Sequence, residues 1–234
     1  MNIGLLLIAT GKYDAFVQPL IDSIEKHFFK EKKVIVYLFT DTEDTFQANR
    51  VAIKYIWTKH EPFPYATLNR YSYFCKQEDT FISDGIDYLF YCDVDMLFVS
   101  DVSEEILPDS VSDNGIVAVR HPGFINGGWG SPNVDIKSMA YVEPEKRGNY
   151  YAGGFQGGLF VFYMLLCKQL HEAISNDNNN GVMAEWHDES HFNKYLTYIK
   201  NPKILSHQYC MPDDNITGEP KILALSKDHK ALRF

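Results

Sequence analysis

The sequence predicts an α/β domain built on one mixed, mostly parallel sheet with helices on both faces. Two observations carry this. Over the first 100 residues, apolar and amphipathic stretches follow the order β-α-β-β-α-β, that of a Rossmann-like nucleotide-binding half. The strand candidates at both ends of this region, Asn2 to Ala9 and Tyr88 to Val99, are continuous apolar runs, the mark of strands buried on both faces. A chain of 234 residues suffices for one substantial core, and 45% hydrophobic with 23% charged residues excludes an unfolded class. A single domain spanning 1–234 is expected. Residues 1–100 would form its nucleotide half, 101–220 a second half, and 221–234 a basic tail.

The elements follow in order. After Asn2 to Ala9, Thr10-Gly11-Lys12 turns into a helix with Phe16, Leu20, Ile24 and Phe28 at spacing four. Pro19 restricts that helix to starting nearby, since proline is tolerated only in a first turn. Val34 to Thr40 is a second strand. Val51, Ile53, Tyr55 and Trp57 alternate, as an edge strand would. A Pro-containing loop leads to a helix from about Thr67 to Phe81. Ile116 to Val119 is a short strand, and residues 123–133 form a Gly/Asn-rich loop. The glycine-dense run Tyr150 to Gly158 either lets backbone approach a ligand or makes a tight loop between core elements. Phe160 to Ile174 is expected to be helical, and Asn176 to Gly181 a solvated loop. An amphipathic helix begins near Trp186, with Phe192, Tyr195, Leu196 and Ile199 inward.

Several classes drop out. A net charge of −9 argues against a nucleic-acid partner, whose phosphates require a basic face. Neither G-x-G-x-x-G nor G-x-x-x-x-G-K-[ST] occurs, which disfavours dinucleotide and P-loop readings. The four Cys are widely spaced without C-x-x-C, so free thiols are expected. No run approaches the roughly 20 apolar residues of a membrane span, and no leader pattern opens the sequence. A soluble cytoplasmic protein without a membrane anchor is expected.

The chemistry concentrates at three places. Asp93 and Asp95 interrupt the apolar run Tyr88 to Val99. Buried carboxylates need a partner or a metal, so the strand should end near Cys92 and present both at its carboxyl edge, where open α/β sheets bind ligands. Two such carboxylates suit a hard divalent ion, Mg²⁺ or Mn²⁺, with sites left for phosphate oxygens. Asp188 and Glu189 open a helix. There Asp188 reads either as an N-cap or as a site residue, and Glu189 either as a first-turn acid or as a carboxylate facing a cationic sugar carbon. The tail from Lys221 to Phe234 carries four positive residues against Asp228, and either frays or folds over an anion such as a diphosphate. Together these are the parts of a glycosyl transfer with a nucleoside diphosphate leaving group.

Six blocks extend the argument: Ile8 to Tyr13, Tyr91-Cys92-Asp93-Val94-Asp95, His121-Pro122-Gly123-Phe124, Tyr150 to Gly158, Trp186 to Tyr195, and Lys227 to Arg233. In this order the chain resembles the family 6 glycosyltransferases over nearly its whole length. The resemblance implies a GT-A fold, retention of anomeric configuration, a UDP-sugar donor and Mn²⁺, with Mg²⁺ as the alternative ion. By motif, Ile8, Ala9, Tyr13 and Val94 would flank the nucleoside, and Asp93 and Asp95 would hold the metal. Lys227 and Arg233 would close over the diphosphate. Arg70, Asp188, Ala152, Gly153 and Gly154 would form the donor-sugar pocket, and His121 and Trp186 would meet a galactoside-like glycan acceptor. Glu189 would be the nucleophile or cation-stabilising carboxylate.

The chain also departs from the family. The stem and anchor of the animal members are not found, which suggests a microbial or viral form. A Gly/Asn-rich segment follows His121-Pro122-Gly123-Phe124 in place of the expected Tyr-Glu-Arg-Arg run. Small residues at Ala152 and Gly154 leave room for a 2-acetamido group, so UDP-GalNAc and UDP-Gal lead and UDP-Glc comes third. A metal-dependent UDP-sugar hydrolase and a non-catalytic nucleotide-sugar binding module are the rival readings.

Overall fold

A computed structural model describes residues 1–43, 45–108, 114–126 and 128–233, without the side chains of His229 and Arg233. The expected closing role of Arg233 therefore falls outside the described residues, as do Gly127 of the Gly/Asn-rich loop and the terminal Phe234.

The first strand, β1 (Asn2–Ala9), is buried on both sides because it lies inside the sheet. A 3-10 turn, Gly11–Phe16, leads into α1 (Val17–His27), which places Pro19 in the first turn. The strands β2 (Lys33–Thr40), β3 (Ala52–Trp57) and β4 (Tyr88–Cys92) complete the first half. The later strands are β5 (Met96–Phe98), β6 (Ile116–Arg120), β7 (Tyr151–Leu159), β8 (Lys203–Leu205), β9 (Met211–Pro212) and β10 (Ile222–Ala224).

Seven strands form one sheet in the order β3-β2-β1-β4-β7-β6-β8, with β3 at the edge as its alternation predicts. The pairs β1–β2, β1–β4, β2–β3 and β6–β8 are parallel, while β7 runs antiparallel to β4 and β6. The expected mixed, mostly parallel α/β sheet is what forms, and both halves of the chain contribute to it. A small second sheet, β5-β10-β9, lies beside it.

Alternate strand residues feed two cores. Leu5 and Leu7 pack with Leu20, Ile24, Phe90 and Phe98 on one face. Leu6 packs with Tyr37, Phe74, Leu89, Cys167 and Phe192 on the other. With both faces covered, neither β1 nor β4 needs polar alternation. All four cysteines are free. Among the described residues, no helix is long and apolar enough to cross a membrane.

Three local expectations are corrected. The single helix over 67–81 is three short ones, α2 (Tyr65–Leu68), α3 (Arg70–Cys75) and α4 (Glu78–Ser83). The breaks fall at Asn69, whose side-chain amide donates to Glu61 (2.6 Å), and at Gln77, where φ/ψ is −106/8. The glycine-dense run is no loop. It is the inner strand β7, and glycine is required because a Cβ at Gly157 would stand 2.5 Å from the Leu89 carbonyl oxygen on β4. Finally, α5 (Phe160–Asn179) continues through most of the polar run expected as a solvated loop, and Asp177 within it is buried.

Candidate active site

The sheet topology creates the crevice. From β1 the chain moves to β2 and β3 on one side, then returns to β4 on the other, so β1 and β4 are neighbours with diverging connections. Ligands of open α/β sheets bind beyond the carboxyl ends of such strands. Ile8 is the penultimate residue of β1 and Asp93 follows β4 directly, and both line a cavity of about 210 Å³ there. Thr10, Tyr13, Val94, Asp95 and Lys227 line it too. Ala9 does not, since its side chain is fully buried in the core.

A second cavity, of about 580 Å³, adjoins the first and shares Phe63, Thr67, Arg70 and Asp93 with it. Its remaining walls include Gly153, Gly154, Trp186, Asp188 and Glu189. An elongated ligand can therefore lie across the boundary, one part in each chamber.

Arg70 stands at that boundary and is 3% exposed. Its Nε lies 3.1 Å from Asp188 Oδ2, one terminal nitrogen 3.5 Å from Asp93 Oδ1, and the other donates to the Gly153 carbonyl (3.2 Å). The guanidinium also lies over the Tyr91 ring at 4.2 Å. Burial works against its charge, but Asp188, Tyr91 and Asp93 outweigh it and its pKa moves up. The Tyr91 hydroxyl donates to Asp93 (2.5 Å). Asp93 N–H donates to the Gly154 carbonyl (2.8 Å), so β4 and β7 hold the carboxylate opposite a glycine. A Cβ at Gly154 would come within 3.1 Å of Asp93 Oδ2.

The helix α6 (His187–Leu196) carries the other two carboxylates in its first turn. Trp186, not Asp188, is the N-cap, so the capping alternative for Asp188 falls. His187 takes φ +52, in the left-handed region that non-glycine residues seldom adopt. Asn193 pins the helix to β7, donating to the carbonyls of Tyr151 (2.8 Å) and Glu189 (3.0 Å). Glu189 Oε2 accepts from Gly153 N–H (2.7 Å). Burial raises Glu189 to about 7, although the Gly153 bond and the neighbouring Tyr150 hydroxyl lower it. Burial likewise raises Asp188 to about 6, with Arg70 opposing. At neutral pH the site thus holds one carboxyl near its midpoint, a poise suited to charge-developing chemistry.

His121 lines neither cavity. It packs instead on Phe124 and Tyr150, ring centroids 5.0 and 5.6 Å away, and so reaches Glu189 through Tyr150. Its Nδ1 accepts from Gly123 N–H (3.0 Å), and burial lowers its pKa. Ala152 is buried in the core, leaving Gly153 and Gly154 as the strand residues that face the chamber.

Up to residue 233 the backbone of the tail lies back against the domain. Antiparallel pairing of β10 with β5 sets Ala224 opposite Met96, and Leu225 N–H donates to the Asp95 carbonyl (2.9 Å). Lys227 then forms an ion pair with Asp95 and stands 5.7 Å from the Tyr13 ring. The short helix α7 (His229–Arg233) is tied down by Lys12 Nζ, which donates to the Ala231 carbonyl (2.8 Å).

Sequence reasoning did not assign roles to Tyr91, Phe63, Thr67 or Tyr150. Tyr91 had a signal, standing two residues before Asp93 at a strand end. The others reach the site only through folding.

Comparison with known proteins places these features in context. The family described as Glycosyltransferase family 6 matches residues 1–233. The chain is 35% identical over 248 residues to histo-blood group ABO system transferase 1 of Rattus norvegicus, covering 99% of this chain and 68% of that one. To globoside alpha-1,3-N-acetylgalactosaminyltransferase 1 of Homo sapiens it is 28% identical over 249 residues, covering 100% and 69%. To O-antigen biosynthesis glycosyltransferase WbnI of Escherichia coli it is 28% identical over 240 residues, covering 99% and 97%.

Proposed function

The chain belongs to glycosyltransferase family 6, and we propose that it moves galactose or N-acetylgalactosamine from a UDP-sugar to a glycan hydroxyl, in α-1,3 linkage and with retention. The observation that carries this reading is the placement of Arg70. It pairs with Asp93 on the first chamber's side and with Asp188 in the second, so one cation connects the two. A UDP-sugar has that shape, with the nucleoside against Ile8, Tyr13 and Val94, the diphosphate near Asp93, Asp95 and Lys227, and the sugar against Gly153, Gly154 and Asp188. On this reading the first 100 residues supply the nucleotide side, 101–220 most of the sugar and acceptor side, and 221–234 the closing tail.

The donor set fits a hard divalent ion. Asp93 and Asp95 offer carboxylate oxygens to one chamber, and Asp95 already holds the Lys227 ammonium. Among the described residues, no group of three or more His, Cys, Asp or Glu side chains could hold an ion unaided. Two carboxylates with substrate phosphates are a common arrangement for Mg²⁺ and for the chemically similar Mn²⁺. When bound, the ion would supply positive charge to the departing diphosphate.

The residues do the rest. Asp188, fixed by Arg70, accepts hydrogen bonds from donor hydroxyls and sets the sugar's orientation. Glu189, held by the Gly153 N–H, presents a carboxylate to the anomeric carbon as positive charge develops there. Lys227 stands where it can exchange Asp95 for a phosphate oxygen. Trp186 lines the chamber beside Glu189 on the acceptor side, its indole offering an apolar face to a galactoside, while His121 stands behind Tyr150.

The test is a UDP-release screen over UDP-Gal, UDP-GalNAc, UDP-Glc and UDP-GlcNAc with Mn²⁺, with and without a panel of galactosides. Release that depends on a galactoside supports transfer. Release at one rate whatever is added replaces transfer with hydrolysis, and tight UDP binding without release leaves only a binding module.

A further inference from the structure

A second buried polar cluster lies behind α6, and the reading above does not use it. Asp177, near the end of α5, and His191, on α6, are each 2% exposed. Asp177 Oδ2 accepts from the Ser138 hydroxyl (2.5 Å), Oδ1 accepts from Met139 N–H (2.7 Å), and His191 Nε2 stands 3.3 Å from Oδ2. Burial pushes His191 below the usual imidazole range, with Asp177 opposing, and its Nε2 faces the carboxylate. The Ser138 oxygen in turn accepts from Ala140 N–H (3.0 Å). A carboxylate this deep persists only where its donors stay in place.

What the cluster holds is the segment from Ser131 to Val142, on the connection between β6 and β7. Val142 N–H donates to the Asn133 carbonyl (3.0 Å) and closes it into a loop. Trp186 Nε1 donates to Ser131 Oγ (2.7 Å), and Glu185 N–H donates to Asn133 Oδ1 (3.2 Å). The segment therefore meets the chain around the start of α6 at one end and the Asp177 cluster at the other. Residues two apart on a helix point roughly 200° from one another, so α6 turns Glu189 to the chamber and His191 to the cluster. Val134, Ile136 and Met139 are exposed, so between Asn133 and Ala140 the segment is held by its polar contacts, while Ala140 and Val142 bury apolar side chains at its far end.

We propose that Asp177 is a positioning residue for the acceptor. It clamps the 131–142 segment to α6 and so sets where Ser131 and Trp186 stand relative to Glu189. The proposal rests on the reading of Trp186 as acceptor-side. Donor-side geometry has supports of its own, since Arg70 of α3 meets both Asp93 and Asp188, and Asn193 bonds α6 to β7 independently of the cluster.

The experiment uses the full chain with Asp177→Asn, and with Ser138→Ala as the milder variant if the first folds poorly. Lactose is the acceptor probe and UDP release without acceptor is the control. The expected result is at least a tenfold rise in lactose KM, with kcat and acceptor-free release within about threefold of the parent. Trypsin cleavage after the exposed Lys137 should accelerate severalfold while other sites keep their rates. His191→Leu should repeat the effect, and His191→Gln, which keeps a donor, should restore most of it. An unchanged KM, or equal acceleration of cleavage at all sites with parallel loss of acceptor-free release, overturns the clamp. Should lactose be no substrate for the parent, the acceptor reading is what fails. Cleavage after Lys137 then decides the clamp alone, with unchanged cleavage overturning it.

Discussion

Arg70 Nε stands 3.1 Å from Asp188 Oδ2 while the same guanidinium stands 3.5 Å from Asp93 Oδ1, so two carboxylates from distant segments share one buried cation. Removing it leaves Asp188 buried without its counter-ion. Arg70→Ala should therefore destabilise the fold by about 3–5 kcal/mol as well as lower turnover, read by urea denaturation beside a UDP-release assay. Wild-type stability in the variant would show that the pair is peripheral.

The Glu189 carboxyl, raised to about 7 from 4.5, makes a prediction for activity. If the ionised form meets the developing cation, kcat should rise with pH and level off above about 7. Glu189→Gln should lose several orders of magnitude in turnover and keep UDP binding. Near-normal turnover in that variant would end its assigned role.

The same group has an effect on stability with the opposite sign. In the unfolded chain it ionises near 4.5, whereas in the fold it holds its proton to about 7. Between those values the folded state binds more protons, so this residue's contribution to stability falls as pH rises. Denaturation midpoints across that window should fall less steeply in Glu189→Gln than in the parent.

The Lys227–Asp95 pair and the Lys12–Ala231 bond dock the tail on the nucleotide chamber. Truncation after Ser226 should raise the UDP dissociation constant about tenfold, close to 1.4 kcal/mol. Isothermal titration measures this, and unchanged affinity would make the tail a surface feature. EDTA should abolish UDP release and added Mn²⁺ restore it, and Asp93→Asn should weaken that restoration.

At Gly157 a new Cβ would meet backbone of β4, at the Leu89 oxygen (2.5 Å) and the Phe90 Cα (2.8 Å), and backbone cannot step aside as a side chain can. Gly157→Ala should cost about 1–3 kcal/mol, measured by thermal unfolding.

Much of the frame was legible in advance for local reasons. A run as apolar as Asn2 to Ala9 can only be buried, and the acidic pair inside Tyr88 to Val99 could only sit where that strand stops. The β7 strand was not legible, because its glycines answer to the neighbouring strand rather than to local propensity. Asp177 misled for a related reason: its polarity suggested solvent, and its partners Ser138, Met139 and His191 come from other elements.

The sequence by itself therefore determined the class of sheet, the strand end that offers Asp93 and Asp95, and the acidic start of α6, since each follows from the character of contiguous residues. Only the tertiary structure decided that Arg70 joins Asp93 to Asp188, that the tail returns to Asp95, and that His121 reaches Glu189 by way of Tyr150. These are pairings between segments far apart in the chain. They depend on strand order and register, which no local pattern of residues encodes.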